Sequence, residues 1–414
     1  MCPQGAFRII ASHLIHTLDV PQDNFQILAH PMPGHSQRVQ VRKTPNRKAQ
    51  PVHAVGLLRA GCLEMHYQPI LDLVSNRIGK VEALARLRDD DRLVPPGEFL
   101  PQFGNEALYE LFVLGLDIAL RDRNHWLMHG VQVDLSLNLP PAGLVDHRYF
   151  DATCRALARH GCPPSALTLE LLEGRDIGST ACAAQQFRRF SALGVLLAED
   201  DLGSGHSSLR RLRELAFDWI KIDRGVVQRT DHNNVEVLQF VYQLTRLGHG
   251  LGKSVIVEGV EDPDLVEAVR ILGADAVQGY GIARPMPAHG ILESLRAQTR
   301  LAIGTGSASA LSRLARLLLA EENLHACQRH TLKATARPKV PARFVDTCDG
   351  GSEIAVAQAC DACQRERFQA DVDAIYPANP AHTDSKRALV HAAMHHGVHS
   401  PAYRQARLHL AHTT

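Results

Sequence analysis

Apolar and polar side chains follow two rhythms along this chain. Leu63 to Leu71 and Ile78 to Leu84 are short apolar, β-rich runs that read as strands. Similar runs recur at 131–137, 167–171, 195–200, 218–222, 254–258 and 275–278. Between them lie segments with apolar residues every three or four positions, the period of a helix. These cover 112–118, 149–159, 180–192, 206–215, 233–249 and 263–272. Strands alternating with helices predict parallel βα units. Eight strands in roughly 240 residues suit a TIM-like (β/α)8 barrel of the α/β class, which takes about 250. An open doubly wound sheet is the competing architecture, but no Gly-rich phosphate loop follows an early strand.

The flanks read differently. Residues 1–56 hold one short amphipathic stretch, Phe7 to Leu18. A polar, Pro-containing segment follows, with five basic residues between Arg38 and Lys48. It reads as a solvated, linker-like extension. The barrel is expected over 57–298. Beyond it, Leu311 to Leu319 with Leu324 predicts one helix, and the remainder shows no clear period. Residues 299–414 are therefore expected to be an extension of unassigned fold, helical or partly disordered.

Charge and cysteine content narrow the function classes. The chain has 45 Lys and Arg against 44 Asp and Glu, a formal net charge of +1. Nothing in that balance suggests a polymeric nucleic acid or a membrane surface as partner, while a small anionic ligand needs only local charge. Nine scattered cysteines suit a reducing compartment. With no signal-peptide pattern and no long apolar run, a soluble cytoplasmic protein is expected. Cys360-Asp361-Ala362-Cys363 has zinc-ligand spacing, with Cys348 upstream and His391, His395, His396 and His399 downstream. No second close Cys pair accompanies it, so unpaired thiols are the plainer reading.

The chemistry stands at the ends of the strand runs. Glu82, Asn138, Glu170, the pair Asp200 and Asp201, and Glu258 each close one, and Lys221 sits in Trp219-Ile220-Lys221-Ile222-Asp223. In barrel enzymes that end of the strands carries the active site. Five carboxylates and an amide offer only oxygen ligands, which magnesium and manganese prefer. Without a cation such a cluster repels itself. Two divalent ions about 3.5–4 Å apart can stabilise the attacking and leaving oxygens of phosphodiester cleavage. Adjacent aspartates on a regular strand face opposite sides, so both serve one site only if the chain turns there. Gly203 and Gly205 permit such a turn. Lys221 shares a strand face with Asp223. A lysine there orients water or stabilises phosphate charge, although a salt-bridged barrel pair is the plainer reading of these two alone.

Eight segments in order carry a resemblance to a known family. They are Tyr67-Gln68-Pro69-Ile70, Glu82-Ala83-Leu84-Ala85-Arg86, Leu137-Asn138-Leu139, Glu170-Leu171-Leu172-Glu173, Asp200-Asp201-Leu202-Gly203-Ser204-Gly205, Lys221-Ile222-Asp223, Glu258-Gly259-Val260-Glu261 and Gln278-Gly279-Tyr280. From about Leu57 to Leu295 the chain resembles the EAL-domain cyclic di-GMP phosphodiesterases. The resemblance implies hydrolysis of cyclic di-GMP to linear pGpG with two Mg2+ or Mn2+ ions, in a homodimer formed through the barrel. It assigns Glu82, Asn138, Glu170 and Asp200 to one ion, with Asp200 bridging and Asp201 at the second. Glu258, also counted as a ligand, and Gln278 complete the pocket and position water, and Lys221 is catalytic. Gln68 and Arg86 become substrate-phosphate contacts, and Asp223 lines the substrate pocket. Glu261 and Pro285 fall near the guanine base, although Pro285 reads equally as a loop former. Glu173 holds the loop after the paired aspartates.

Five positions depart from the family pattern: Leu87, Leu172, Gly174, Leu202 and His206 stand where tryptophan, threonine, serine, phenylalanine and tyrosine are usual. None removes a ligand. A receptor that binds cyclic di-GMP without cutting it is the alternative, and a barrel that only holds a partner protein is a third reading. Substituting Glu82 or Lys221 by Ala is expected to abolish activity and spare the fold.

Overall fold

The computed structural model of the chain describes residues 53–171, 181–203, 209–228, 234–297, 309–335, 352–376, 383–396 and 398–412. The strands are β1 (Leu63–Asp72), β2 (Arg77–Asp89), β3 (Arg92–Val94), β4 (Asp134–Leu139), β5 (Leu167–Leu171), β6 (Leu196–Leu202), β7 (Trp219–Ile222), β8 (Ser254–Val257), β9 (Ala276–Gln278) and β10 (Met286–Pro287). Their order in the sheet is β10-β1-β9-β8-β7-β6-β5-β4-β2-β3, and β1 also pairs with β2. That last pairing closes eight strands into a barrel and leaves β3 and β10 outside it. From β2 round to β9 every neighbouring pair is parallel.

One strand departs from the parallel expectation. β1 runs antiparallel to both β2 and β9. The cause is the length of the connection. Only residues 73–76 separate β1 from β2, whereas a parallel crossover needs a dozen residues or more. Within this turn Asp72 Oδ1 accepts hydrogen bonds from Ser75 N at 2.6 Å and Ser75 Oγ at 2.7 Å. Asn76 takes a left-handed φ of 55°, which asparagine tolerates.

The helices that accompany the barrel include α1 (Asn105–Met128), α2 (Arg148–His160), α3 (Ala181–Leu193), α4 (Leu209–Glu214), α5 (Arg224–Val227), α6 (Asn234–Gly250), α7 (Pro263–Ile271) and α8 (Ala288–Ala297). They cover the outward residues of the strands. Leu71, Ile222, Val257 and Val277 pack against Leu238 and Val241 of α6 and Val266 and Val269 of α7. Burying such side chains stabilises the fold by about 1.5–3 kcal/mol each. Trp126 of α1 is fully buried, stacks edge-on to Tyr67 at 4.7 Å, and donates Nε1–H to Ala288 O at 2.9 Å. Inside the barrel Ile70, Trp219, Ile256 and Ala276 form a small apolar layer.

The C-terminal segment contains four helices: α9 (Ala310–Thr335), α10 (Ser352–Ile375), α11 (Thr383–His396) and α12 (Pro401–His412). Helix α9 serves two cores. Ala315 and Leu318 join the barrel core beside α7, while Leu317, Ala320 and Leu324 pack with Phe368, Val372, Leu389 and Tyr403. A helix apolar on two sides shows no single stripe, which is why its period was hard to read beyond Leu319. Cys348 and the side chains of Cys360 and His396 lie outside the described residues, and Cys363 is exposed. A buried ion pair lies within these helices. Arg407 Nη1 donates to Glu321 Oε2 at 2.9 Å, and Tyr403 Oη–H donates to Glu321 Oε1 at 2.9 Å. Removing one partner of a buried pair strands the other charge, at a cost of about 3–5 kcal/mol. Arg407→Met is accordingly expected to lower stability by ~3 kcal/mol, read as a shift in the denaturant midpoint; a midpoint unchanged from the parent chain would show that the pair does not hold α12 in place.

Candidate active site

The strand ends converge on one nitrogen. Lys221 Nζ lies 2.8 Å from Glu170 Oε2, 2.6 Å from Glu258 Oε1, 3.2 Å from Asp200 Oδ1 and 3.4 Å from Glu82 Oε2. These carboxylates come from β2, β5, β6 and the end of β8, so they meet only through the barrel interior. Their positions follow from the strand period of two: the same parity on each parallel strand points inward. Amides and a hydroxyl complete the floor. Asn138 Nδ2 donates to Glu82 Oε1 at 3.1 Å, and Gln278 Nε2 donates to Glu82 Oε2 at 2.7 Å. Ser136 Oγ donates to Glu170 Oε1. Gln278 Nε2 also reaches Gln68 Oε1 at 3.2 Å, and Gln68 Nε2 donates to Ala283 O at 3.2 Å.

The paired aspartates reach the same mouth by a break in the ladder. The pairing of β6 with β7 slips between Glu199 and Leu202. Asp201 takes a φ of 64°, a left-handed conformation that aspartate tolerates better than most residues. Gly203 follows at φ 100°. The turn expected from the glycines therefore begins one residue into the pair. It brings ligand oxygens of Asp200, Asp201 and Glu258 within 4.8 Å of one another, and among the described residues this is the one such gathering of three metal-capable groups. Gly279 shapes the mouth in another way. A Cβ there would stand 2.1 Å from Val260 O, so only glycine lets the end of β9 pass the loop after β8.

Burial and mutual repulsion set the charge state. Burial opposes the Lys221 charge, but Asp200, Glu170, Glu258 and Glu82 together hold its pKa well above the ordinary lysine value. Burial also works against the Glu82 carboxylate, yet Lys221 and the Gln278 amide keep its pKa below the usual range. Burial, reinforced by Glu82, pushes Glu170 well above that range. Burial likewise raises Glu258 to about 7. A cation bound here would favour the deprotonated carboxylates. Its donor set fits a divalent ion: every candidate ligand is an oxygen. Asp200 Oδ1, although close to Lys221, is buried without a hydrogen bond.

Other residues singled out by sequence fall round this floor. Arg86 is half-buried, its Nη1 donates to Ala85 O at 2.8 Å, and it forms no salt bridge among the described residues. Asp223 caps α5 by accepting from Gly225 N at 2.9 Å. Glu261, exposed, accepts from Gln228 Nε2 at 2.8 Å. Pro285 leads into β10 at the edge of the sheet. Leu87 and Leu202 are buried apolar residues. Glu173, Leu172, Gly174 and His206 lie outside the described residues. Ser136 and Lys80 carry no role in the sequence reading, and Tyr280 enters it only as part of the Gln278-Gly279-Tyr280 segment. Ser136 was hidden within an apolar run, although its spacing two before Asn138 places it on the same face. Tyr280 is half-exposed beneath the Arg284 guanidinium, which stacks 4.1 Å from the ring centroid. Lys80 points into the barrel below Glu82.

A closed α/β barrel with an acidic, lysine-centred mouth defines a class: α/β barrels that carry their polar groups at the carboxyl ends of their strands. Comparison with known proteins narrows it. The EAL domain matches residues 53–285, and the chain belongs to that family. It is 34% identical over 241 residues to the bifunctional diguanylate cyclase/cyclic di-GMP phosphodiesterase MucR of Pseudomonas aeruginosa, covering 56% of this chain and 34% of that protein. It is 32% identical over 237 residues to the cyclic di-GMP phosphodiesterase RocR of the same organism, covering 56% of this chain and 60% of that one. Less than two thirds of either relative is therefore spanned. A solved structure of the MucR phosphodiesterase in complex with c-di-GMP matches with a TM-score of 0.52 at 32% identity, over 57% of this chain and 96% of the other. No helix among the described residues is long and apolar enough to cross a membrane.

Two outcomes follow from the charge ring. Glu258 has a folded pKa above its unfolded value of 4.5. Its contribution to stability is therefore complete below about 4.5 and is lost as pH rises through about 7. Chelator-treated protein is expected to lose up to ~3 kcal/mol across that window, and Glu258→Gln is expected to flatten the slope; thermal midpoints at stepped pH check both. The geometry also revises the expectation for Lys221. Lys221→Met leaves four carboxylates facing one another, so it should destabilise the chelator-treated chain by at least ~3 kcal/mol. Stability should recover as pH falls; an unchanged midpoint at pH 8 would contradict the ring.

Proposed function

We propose that the chain is a metal-dependent phosphodiesterase that hydrolyses cyclic di-GMP to linear pGpG and so lowers the level of this bacterial second messenger. The observation that carries the reading is the complete oxygen ring around Lys221, with Asp200 and Asp201 turned into one mouth. Family membership and the c-di-GMP phosphodiesterases among its relatives support the choice of substrate.

Five carboxylates less one ammonium leave four negative charges when all are ionised, which two Mg2+ or Mn2+ ions would balance. Glu82, Asn138, Glu170 and Asp200 would hold one, and Asp200, Asp201 and Glu258 the other. Bound there, the ions would supply Lewis acidity to the phosphoryl group and an activated water. Lys221 keeps its proton, so it serves as a donor that orients the attacking oxygen and stabilises phosphate charge, not as a base. Arg86, with no salt bridge among the described residues, offers a two-pronged grip for a phosphate. Gln68 and Gln278 fix the floor beneath it. Asp223, Glu261 and Pro285 stand toward the guanine side. Glu173 holds the loop after Asp201, and the functional unit is a homodimer formed through the barrel.

Purified protein given cyclic di-GMP and Mg2+ or Mn2+ is expected to release pGpG, detected by chromatography, and chelation should stop release. Asp200→Asn and Glu82→Gln should each reduce the rate at least a hundredfold (about 2.7 kcal/mol of barrel-mouth stabilisation) with the fold retained. Tight binding without any linear product would favour a receptor. No nucleotide affinity at all would leave only a partner-holding barrel.

A further inference from the structure

A second lysine lies inside the barrel, one layer below the acidic ring. Lys80 is buried; its Nζ donates to Thr168 Oγ1 at 2.9 Å and sits over the Trp219 ring, 4.4 Å from the centroid. These contacts run from β2 to β5 and β7, so they too cross the interior. Each member of this trio stands two residues before a ring member on the same strand: Lys80 before Glu82, Thr168 before Glu170, Trp219 before Lys221. Two residues of strand span about 6.6 Å, which sets the distance between the layers. Among the described residues Lys80 forms no salt bridge, and its two contacts are a neutral hydroxyl and a ring face. An ammonium buried without a carboxylate partner is costly unless charge elsewhere answers it.

We propose that Lys80 is a resident counter-charge for the acidic ring and a positioning residue for the cation site. The ring above it has five carboxylates to one ammonium, and one of its members, Glu170, is the carboxylate that acts most strongly on Lys80. Across such a layer, in a barrel of low effective dielectric, one fixed positive charge acts strongly on anything bound above it. In the ion-free chain Lys80 offsets carboxylate repulsion. In the ion-bound chain it repels the cations, so they bind less tightly and leave more readily. Asp134, its ladder partner on β4, and Asp218 also act on the Lys80 charge, more weakly than Glu170. If they answer the Lys80 charge, the residue is structural only.

The inference rests on the cation site proposed above, and the test separates the two. Mn2+ binding to the full chain is measured by calorimetry, and thermal midpoints are recorded with chelator and with Mn2+. Lys80→Gln keeps a donor for Thr168 and removes the charge; Lys80→Met removes both. Both variants are expected to bind Mn2+ about tenfold more tightly while melting earlier in chelator, so that Mn2+ raises their midpoints more than it raises the parent's. A parent chain that takes up no Mn2+ overturns the cation site. A parent that binds Mn2+, with variants of equal or weaker affinity, overturns the counter-charge alone. Variants that stay unfolded at every Mn2+ concentration also overturn it, in favour of a purely structural lysine.

Discussion

The Lys221 ammonium is what allows this barrel to close over its own acids. Four carboxylates from separate strands lie within 3.4 Å of its nitrogen. Desolvating even one carboxylate costs several kcal/mol; four sharing an apolar-walled cavity would add repulsion to that cost. The lysine answers the ring from its centre and lowers both Glu170 and Glu258, but burial first, and the neighbouring carboxylates after it, leave both raised.

Backbone geometry delivers those groups with few special devices. Strand alternation places Glu82, Asn138, Glu170, Lys221 and Gln278 on inward positions without strain. Only the aspartate pair needs more. The slipped register after Glu199 and the left-handed Asp201 turn two consecutive side chains toward one site. Gly203 then packs beside Val226 of α5 and close to Phe240 and Leu244 of α6. The loop carrying the aspartates is therefore braced by the helices that follow β7. Those helices in turn share the apolar core that receives Ala315 and Leu318 of α9. The C-terminal helices are thus packed onto the barrel through side chains and not merely tethered to it.

Much of this was legible in the sequence because both controlling patterns are short-range. The strand period of two and the acidic residue ending each run predicted the convergence of Glu82, Asn138, Glu170, Asp200 and Glu258. What escaped was long-range or ambiguous. The antiparallel course of β1 was implicit in the four residues between Asp72 and Arg77, but the repeating strand–helix rhythm obscured it. Asp201 gives no sign of its left-handed backbone beyond being an aspartate before a glycine. Helix α9 shows in the sequence from Leu311 to Leu324, whereas α10 to α12 carry no period clear enough to predict them. Lys80 was passed over because a lysine in a strand usually points to solvent; only the ring of contacts across the interior shows that this one does not.

The interior is best understood as stacked layers, and the layers explain why folding and function coexist here. The lowest is apolar and closes on Ile70, Trp219, Ile256 and Ala276. Lys80 and Thr168 interrupt that layer with one polar contact over the Trp219 face. Above it Lys221 meets four acids, and neutral donors orient two of them: Ser136 on Glu170, Asn138 and Gln278 on Glu82. Neutral donors fix orientation without cancelling charge. A ring built from matched ion pairs would leave no excess charge. Here one ammonium faces four carboxylates, and that excess separates the acidic mouth from an ordinary barrel core.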